Sequence, residues 1–157
     1  MTEAADLYLI RGLRGNAVRP PCDAHRMLNI ETLRPLVEAA WGLDTCDPVA
    51  RDEWRPENPS GSQCGVTALV VQDLLGGDLI HGEVHMNGAK VWNHYWNQLP
   101  DGAEIDLTAD QFRFLNGATV TNSQVVQRPP EGPRRCREEY ELLRERVLAA
   151  LAAEEAG

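Results

Sequence analysis

Ser60-Gly61-Ser62-Gln63-Cys64-Gly65-Val66-Thr67-Ala68-Leu69-Val70-Val71-Gln72-Asp73-Leu74-Leu75-Gly76-Gly77 is a polar turn, an apolar run and a glycine stop. Ser62 has the side chain of a helix N-cap, able to accept from a free amide two or three residues on. Gly76-Gly77 is a natural C-terminal end. Between them Val66, Ala68, Leu69, Val70, Val71, Leu74 and Leu75 are apolar nearly all round, and a helix of that kind runs through a core. Cys64 would open this helix, where the free amides and the helix dipole favour a thiolate. The plainer role for Cys64 is that of a small buried hydrophobe.

Outward from this stretch, the N-terminal side carries an earlier helix. Asn29 or Thr32 can cap it, and Leu33, Leu36, Val37, Ala40 and Trp41 recur at helical spacing. Pro35 is expected near its first turn, and Gly42 ends it. Asp44 to Ser62 reads as a long polar loop leading straight to Cys64, and long loops of this kind are often functional. Before residue 29, Leu7-Tyr8-Leu9-Ile10 reads as a short strand and Arg11 to Pro21 as a loop.

On the C-terminal side, Leu79–His85 and Lys90–Leu99 flank Asn87-Gly88, a strong hairpin signal. Pro100-Asp101-Gly102 turns the chain into a third strand, Glu104–Leu107. Thr108–Leu115 reads as a short helix with Thr108 as cap, and Ala118–Val126 as a fourth strand. Arg137–Glu155 is an amphipathic helix with Tyr140, Leu143, Val147, Leu148 and Leu151 on one face. The expected class is α+β. It would be one domain over residues 1–157, with a core over 29–126 and a C-terminal helix over 134–156.

Register assigns the candidate site. A two-residue loop at Asn87-Gly88 pairs Met86 with Ala89 and sets His81 opposite His94. A three-residue loop after Leu99 pairs Leu99 with Ala103 and sets Asp106 opposite Trp96, so that His81, His94, Trp96 and Asp106 share a face. A two-residue second loop would turn Asp106 away from His94. In the first register, Cys64, His94 and Asp106 have the side chains of a nucleophile, its base and the group that orients the base. The backbone amide of Cys64 and the side-chain amides of Gln63 and Asn58 are candidate oxyanion donors. Trp92 and Trp96 would wall the site, with His81 at its edge.

Gln63-Cys64-Gly65 opening a helix, His94-Tyr95-Trp96 in a strand and Asp106-Leu107-Thr108 in the next resemble the transglutaminase-like branch of the papain-like superfamily. The run from Asn58 to Phe112, about a third of the chain, also resembles the YunG-like family of small bacterial proteins. The superfamily resemblance implies a papain-like fold, with the cysteine helix packed on an antiparallel sheet that carries His and Asp. It also implies acyl chemistry through a thioester. The expected function is therefore a cysteine-nucleophile acyl enzyme acting on a small-molecule or peptide amide, by hydrolysis or by acyl transfer, without a cofactor or metal.

Two other classes compete. A metal site could draw on His81, His94, Asp106 and Glu83. A non-catalytic binding module could use the same fold. The formal net charge of −9 disfavours nucleic acid and anionic membranes as partners. The N-terminus lacks a signal pattern and no run reaches the length of a membrane span, so a cytoplasmic location is expected. Cys22, Cys46, Cys64 and Cys136 have no CxxC spacing and are expected to be free thiols.

Overall fold

The structure, a computed structural model, describes residues 27–157, so the strand and loop expected before residue 22 lie outside the described residues. Helix α1 spans Ile30–Ala40. Asn29 and Thr32 form a reciprocal capping box at its start, which satisfies two otherwise unpaired groups. Pro35 falls in the second turn, later than expected, and removes the amide that would reach the Glu31 carbonyl. The loop after α1 is ordered by a 3-10 turn at Pro48–Glu53 and by backbone and indole bonds, Asp47 N–H to Ser62 O and Trp54 Nε1 to Pro59 O.

Helix α2 spans Cys64–Leu75 and is the centre of the molecule. All six residues from Val66 to Val71 are buried, as an all-round apolar helix requires. One side meets α1 and the C-terminal helix α3 (Arg137–Ala156): Leu33, Val37, Val66, Val70, Val71, Leu143 and Val147 form a continuous core with Leu107. The other side meets the sheet through Ala68, Leu69, Leu79 and Tyr95. On α3, Leu148 is exposed, against expectation. The unexpected buried residue is Glu139, whose carboxylate is held by Arg51 at 2.6 Å.

The sheet is antiparallel, in the order β3-β2-β1-β4. Its strands are β1 (Asp78–Met86), β2 (Ala89–Gln98), β3 (Glu104–Ile105) and β4 (Thr119–Val126). Both turns form as the sequence dictates. Met86 pairs with Ala89. Leu99 N–H bonds Ala103 O, and Asn97 pairs with Ile105, which brings Asp106 level with Trp96.

One register expectation fails. Val84 pairs with Trp92 while His85 pairs with Lys90, so Val91 is an extra residue in β2. The bulge moves every later pairing by one. Gly82, not His81, stands opposite His94, and His81 stands opposite Tyr95. Gly82 is sterically required there, because a Cβ would lie 2.8 Å from the Trp96 ring and 2.7 Å from Val120. No helix among the described residues is long and apolar enough to cross a membrane.

Candidate active site

Cys64 is the first residue of α2 and is partly exposed. Ser62 does not cap the helix. Its φ of 56° puts it in the left-handed region, and the N-cap position falls to Gln63, whose side chain makes no capping bond. The first-turn amides of α2 therefore lack a side-chain partner. The turn before them is held by Gly61 N–H to Asn58 O and Gln63 N–H to Ser60 O.

Gln63 is fully buried and its amide is committed elsewhere. Oε1 accepts from Thr45 Oγ1 at 2.9 Å, and Nε2 donates to Gly42 O at 2.8 Å. The side chain braces the loop after α1 and does not stand free to act as an oxyanion donor. Asn58 likewise gives its Nδ2 to the Gln111 carbonyl at 3.2 Å. Trp92 is 40% exposed and lies opposite Val84, on the same face as His94 two residues along β2, but it does not line the groove beside the ring. His81 alternates to the face opposite His94, where its Nε2 meets Asn93 Oδ1 at 2.9 Å and its ring tilts on Tyr95.

What the fold does bring together is His94, Asp106 and Cys64. The His94 imidazole is 2% exposed. Its Nε2 meets Asp106 Oδ2 at 2.6 Å. Trp96 stacks on the ring at 5.5 Å and Phe112 meets it edge-on at 4.8 Å. Asp106 is itself oriented, since its Oδ1 accepts from both the amide and the hydroxyl of Thr108.

Burial pushes the His94 pKa down. The Asp106 hydrogen bond and the Cys64 sulfur within hydrogen-bonding reach outweigh it and carry the ring up to about 9. With Nε2 held by Asp106, Nδ1 is the ring nitrogen left for another partner. Tyr95, next along β2, is also raised, first by burial and then by the negative charge that Cys64 can carry.

The body of α2 packs on the opposite side of β2 from His94. Tyr95 touches Ala68 and Leu69, and Asn97 Nδ2 donates to Ala68 O at 2.8 Å. Only the tip of the helix reaches the imidazole. The shared-face argument from sequence therefore holds for His94, Trp96 and Asp106, whereas Cys64 comes in from the end of α2. An open groove of about 270 Å³ lies on the Asp106 side of the ring, lined by His94, Trp96, Glu104, Asp106 and Val120.

Sequence reasoning missed Gln111, whose Nε2 lies 3.1 Å from His94 Nδ1 and 3.2 Å from Thr108 Oγ1. The signal was the Thr108-x-x-Gln111 spacing, which reads as a capping pair. Here the glutamine instead serves the histidine. Among the described residues no group of three or more His, Cys, Asp or Glu is placed to hold a metal ion. The set His81, Glu83, His94 and Asp106 is not assembled, because His81 is on the other face.

The architecture is thus α+β, with a central helix carrying a cysteine and an antiparallel sheet carrying a buried His–Asp pair. Residues 29–152 match the YunG protein family, and the chain belongs to that family. It is 41% identical over 84 residues to the protein named Uncharacterized protein YunG of Bacillus subtilis (strain 168), a match covering 54% of this chain and 64% of that relative's length. No solved structure matches the chain.

Proposed function

We propose that this protein is a cysteine-dependent acyl enzyme of papain-like or transglutaminase-like type, acting on an amide. The observation that carries the reading is the buried imidazole of His94, held at Nε2 by Asp106 at 2.6 Å, with Cys64 close enough to raise its pKa. A histidine with one nitrogen fixed by a carboxylate and a thiol close by is built to move a proton between the sulfur and a substrate.

In the proposed reaction, Nδ1 takes the Cys64 proton as Sγ bonds to the amide carbonyl carbon. The developing oxyanion is met by the uncapped first-turn amides of α2, with the Cys64 N–H foremost. Collapse breaks the C–N bond, and the leaving nitrogen takes the proton from Nδ1, which leaves a thioester. Water or an amine then gives its proton to Nδ1 as it attacks the thioester. The C–S bond breaks and the proton returns to sulfur. Asp106 stays ionised throughout and stabilises the imidazolium.

The test is alkylation of each cysteine by iodoacetamide, followed by mass spectrometry from pH 5 to 9, in wild type and His94→Ala. The reading expects Cys64 to react fastest at low pH and to lose that advantage without His94. Equal rates at Cys46, Cys64 and Cys136, unchanged by the substitution, would sink it.

A further inference from the structure

We infer that Thr108 and Gln111 form a clamp that restrains proton transfer from Cys64 to His94. The inference rests on the reading of these two residues as a catalytic pair and adds a control on that pair. It follows from counting donors and acceptors. A carboxylate only accepts, so the Thr108 hydroxyl, 3.2 Å from Asp106 Oδ1, must donate its single proton there. Thr108 Oγ1 is then an acceptor towards its other neighbour. The end of Gln111 that lies 3.2 Å from it must be the NH2 group. That same nitrogen lies 3.1 Å from His94 Nδ1 and gives its second proton to the ring. Nδ1 is therefore an acceptor, and the ring proton sits on Nε2, donated to Asp106. With the amide in this orientation the loop makes its full set of hydrogen bonds around a neutral imidazole of this one tautomer.

The tautomer is the one a general base needs, because it leaves a lone pair on the nitrogen that Asp106 does not hold. Gln111 already occupies that lone pair. When Nδ1 takes the thiol proton, two N–H groups face each other, so the amide must turn over or withdraw. Turned over, Oε1 accepts from Nδ1 but meets Thr108 Oγ1, whose one proton cannot serve both Oε1 and Asp106 Oδ1. Charging the ring thus costs a hydrogen bond in the loop.

The charged and titratable groups facing the ring are Cys64 from α2, with Asp106 and Glu104 from β3 and its continuation. Trp96, Phe112 and Val120 complete its surroundings without charge. The anions favour the imidazolium and outweigh the clamp, since the ring is carried up to about 9; the clamp weakens that preference without reversing it. The clamp is fixed to the loop that carries Cys64, since Asn58 holds the Gln111 carbonyl. A leaving nitrogen must reach the same Nδ1 to be protonated, so a productive substrate displaces the Gln111 amide.

The test is iodoacetamide alkylation of Cys64 at pH 6 in full-length wild type, Gln111→Leu and Thr108→Val, with thermal melts to confirm folding. Loss of one opposing hydrogen bond should raise the Gln111→Leu rate about 3- to 10-fold. Thr108→Val, which lets the amide turn over freely, should raise it less, and Thr108→Ser should return it towards wild type. A merely structural role for these residues predicts slower reaction. A folded Gln111→Leu protein that reacts at or below the wild-type rate overturns the clamp, and if that variant does not fold, Thr108→Val decides by the same criterion. A Cys64 rate that responds to His94→Ala but to neither clamp variant overturns the clamp alone. A wild-type Cys64 no faster than Cys136 and indifferent to His94→Ala removes the catalytic pair, and this inference with it.

Discussion

The two ends of α2 are both ringed by polar side chains, and they are built in opposite ways. At the C-terminal end Asp73 receives Arg128, Arg144 and the Tyr140 hydroxyl, and Gly76 closes the helix with a φ of 74°. Each of these groups meets one of opposite sign or a donor of its own, and the cluster ties α2 to α3 and to the strand exit. At the N-terminal end the helix is uncapped, the thiol is partly exposed, and a buried imidazole that feels the Cys64 sulfur is met at Nδ1 by the Gln111 amide. At the first end one carboxylate gathers two guanidinium groups and a phenol, and Gln72 Oε1 is the buried polar atom there without a partner among the described residues. At the second, hydrogen-bonding capacity remains open, and such capacity is what a reaction can use.

The largest effect should come from breaking the open end. His94→Ala should slow Cys64 alkylation at pH 6 by about a hundredfold or more, the scale of a lost general base. Next is the pH dependence of folding. The ordinary histidine value is 6.5 and the folded value is about 9, so the protonated ring stabilises the fold fully below pH 6.5, and this is lost as pH rises through about 9. Urea unfolding should show a loss across that window of at most about 3–4 kcal/mol, the ceiling set by the shift. His94→Gln should flatten it.

Gln63→Ala should cost about 2 kcal/mol, because it removes two buried hydrogen bonds and leaves a cavity, while Thr45 Oγ1 and the Gly42 carbonyl keep each other as partners. If stability held while Cys64 reactivity fell, the side chain would be acting at the site and not as a brace. Asp73→Ala probes the matched end. It should lower stability by about 1–2 kcal/mol, since the partners are partly exposed, and leave Cys64 alkylation at the wild-type rate. A changed alkylation rate would show that the two ends communicate through α2. His81→Ala should have the smallest effect, within about 0.5 kcal/mol and without effect on Cys64, as fits a residue across the sheet from the imidazole.

Much of this arrangement was legible in the chain. The apolar run between a polar turn and two glycines reads as a buried helix, because it is longer than a strand buried on both faces usually is. Asn87-Gly88 and Pro100-Asp101-Gly102 have local conformational preferences strong enough to set two turns, and from them the pairing of His94 with Asp106 follows. The failures share one cause. The Val91 bulge, the left-handed Ser62 and the inward Gln63 each depend on neighbours distant in sequence: the Trp96 ring over Gly82, the loop bond from Asp47 to Ser62, and the partners Thr45 and Gly42. No local preference of these residues announces such contacts.

The sequence by itself determined the elements, both turns and the residue types of the candidate site, since those follow from periodicity and from backbone preferences acting over a few positions. The tertiary structure alone decided which side of β2 carries the imidazole relative to the body of α2, that only the tip of the helix reaches it, and that Gln111 stands at Nδ1. Those outcomes depend on side-chain packing and on hydrogen-bond partners that are far apart along the chain and become neighbours only when the core closes.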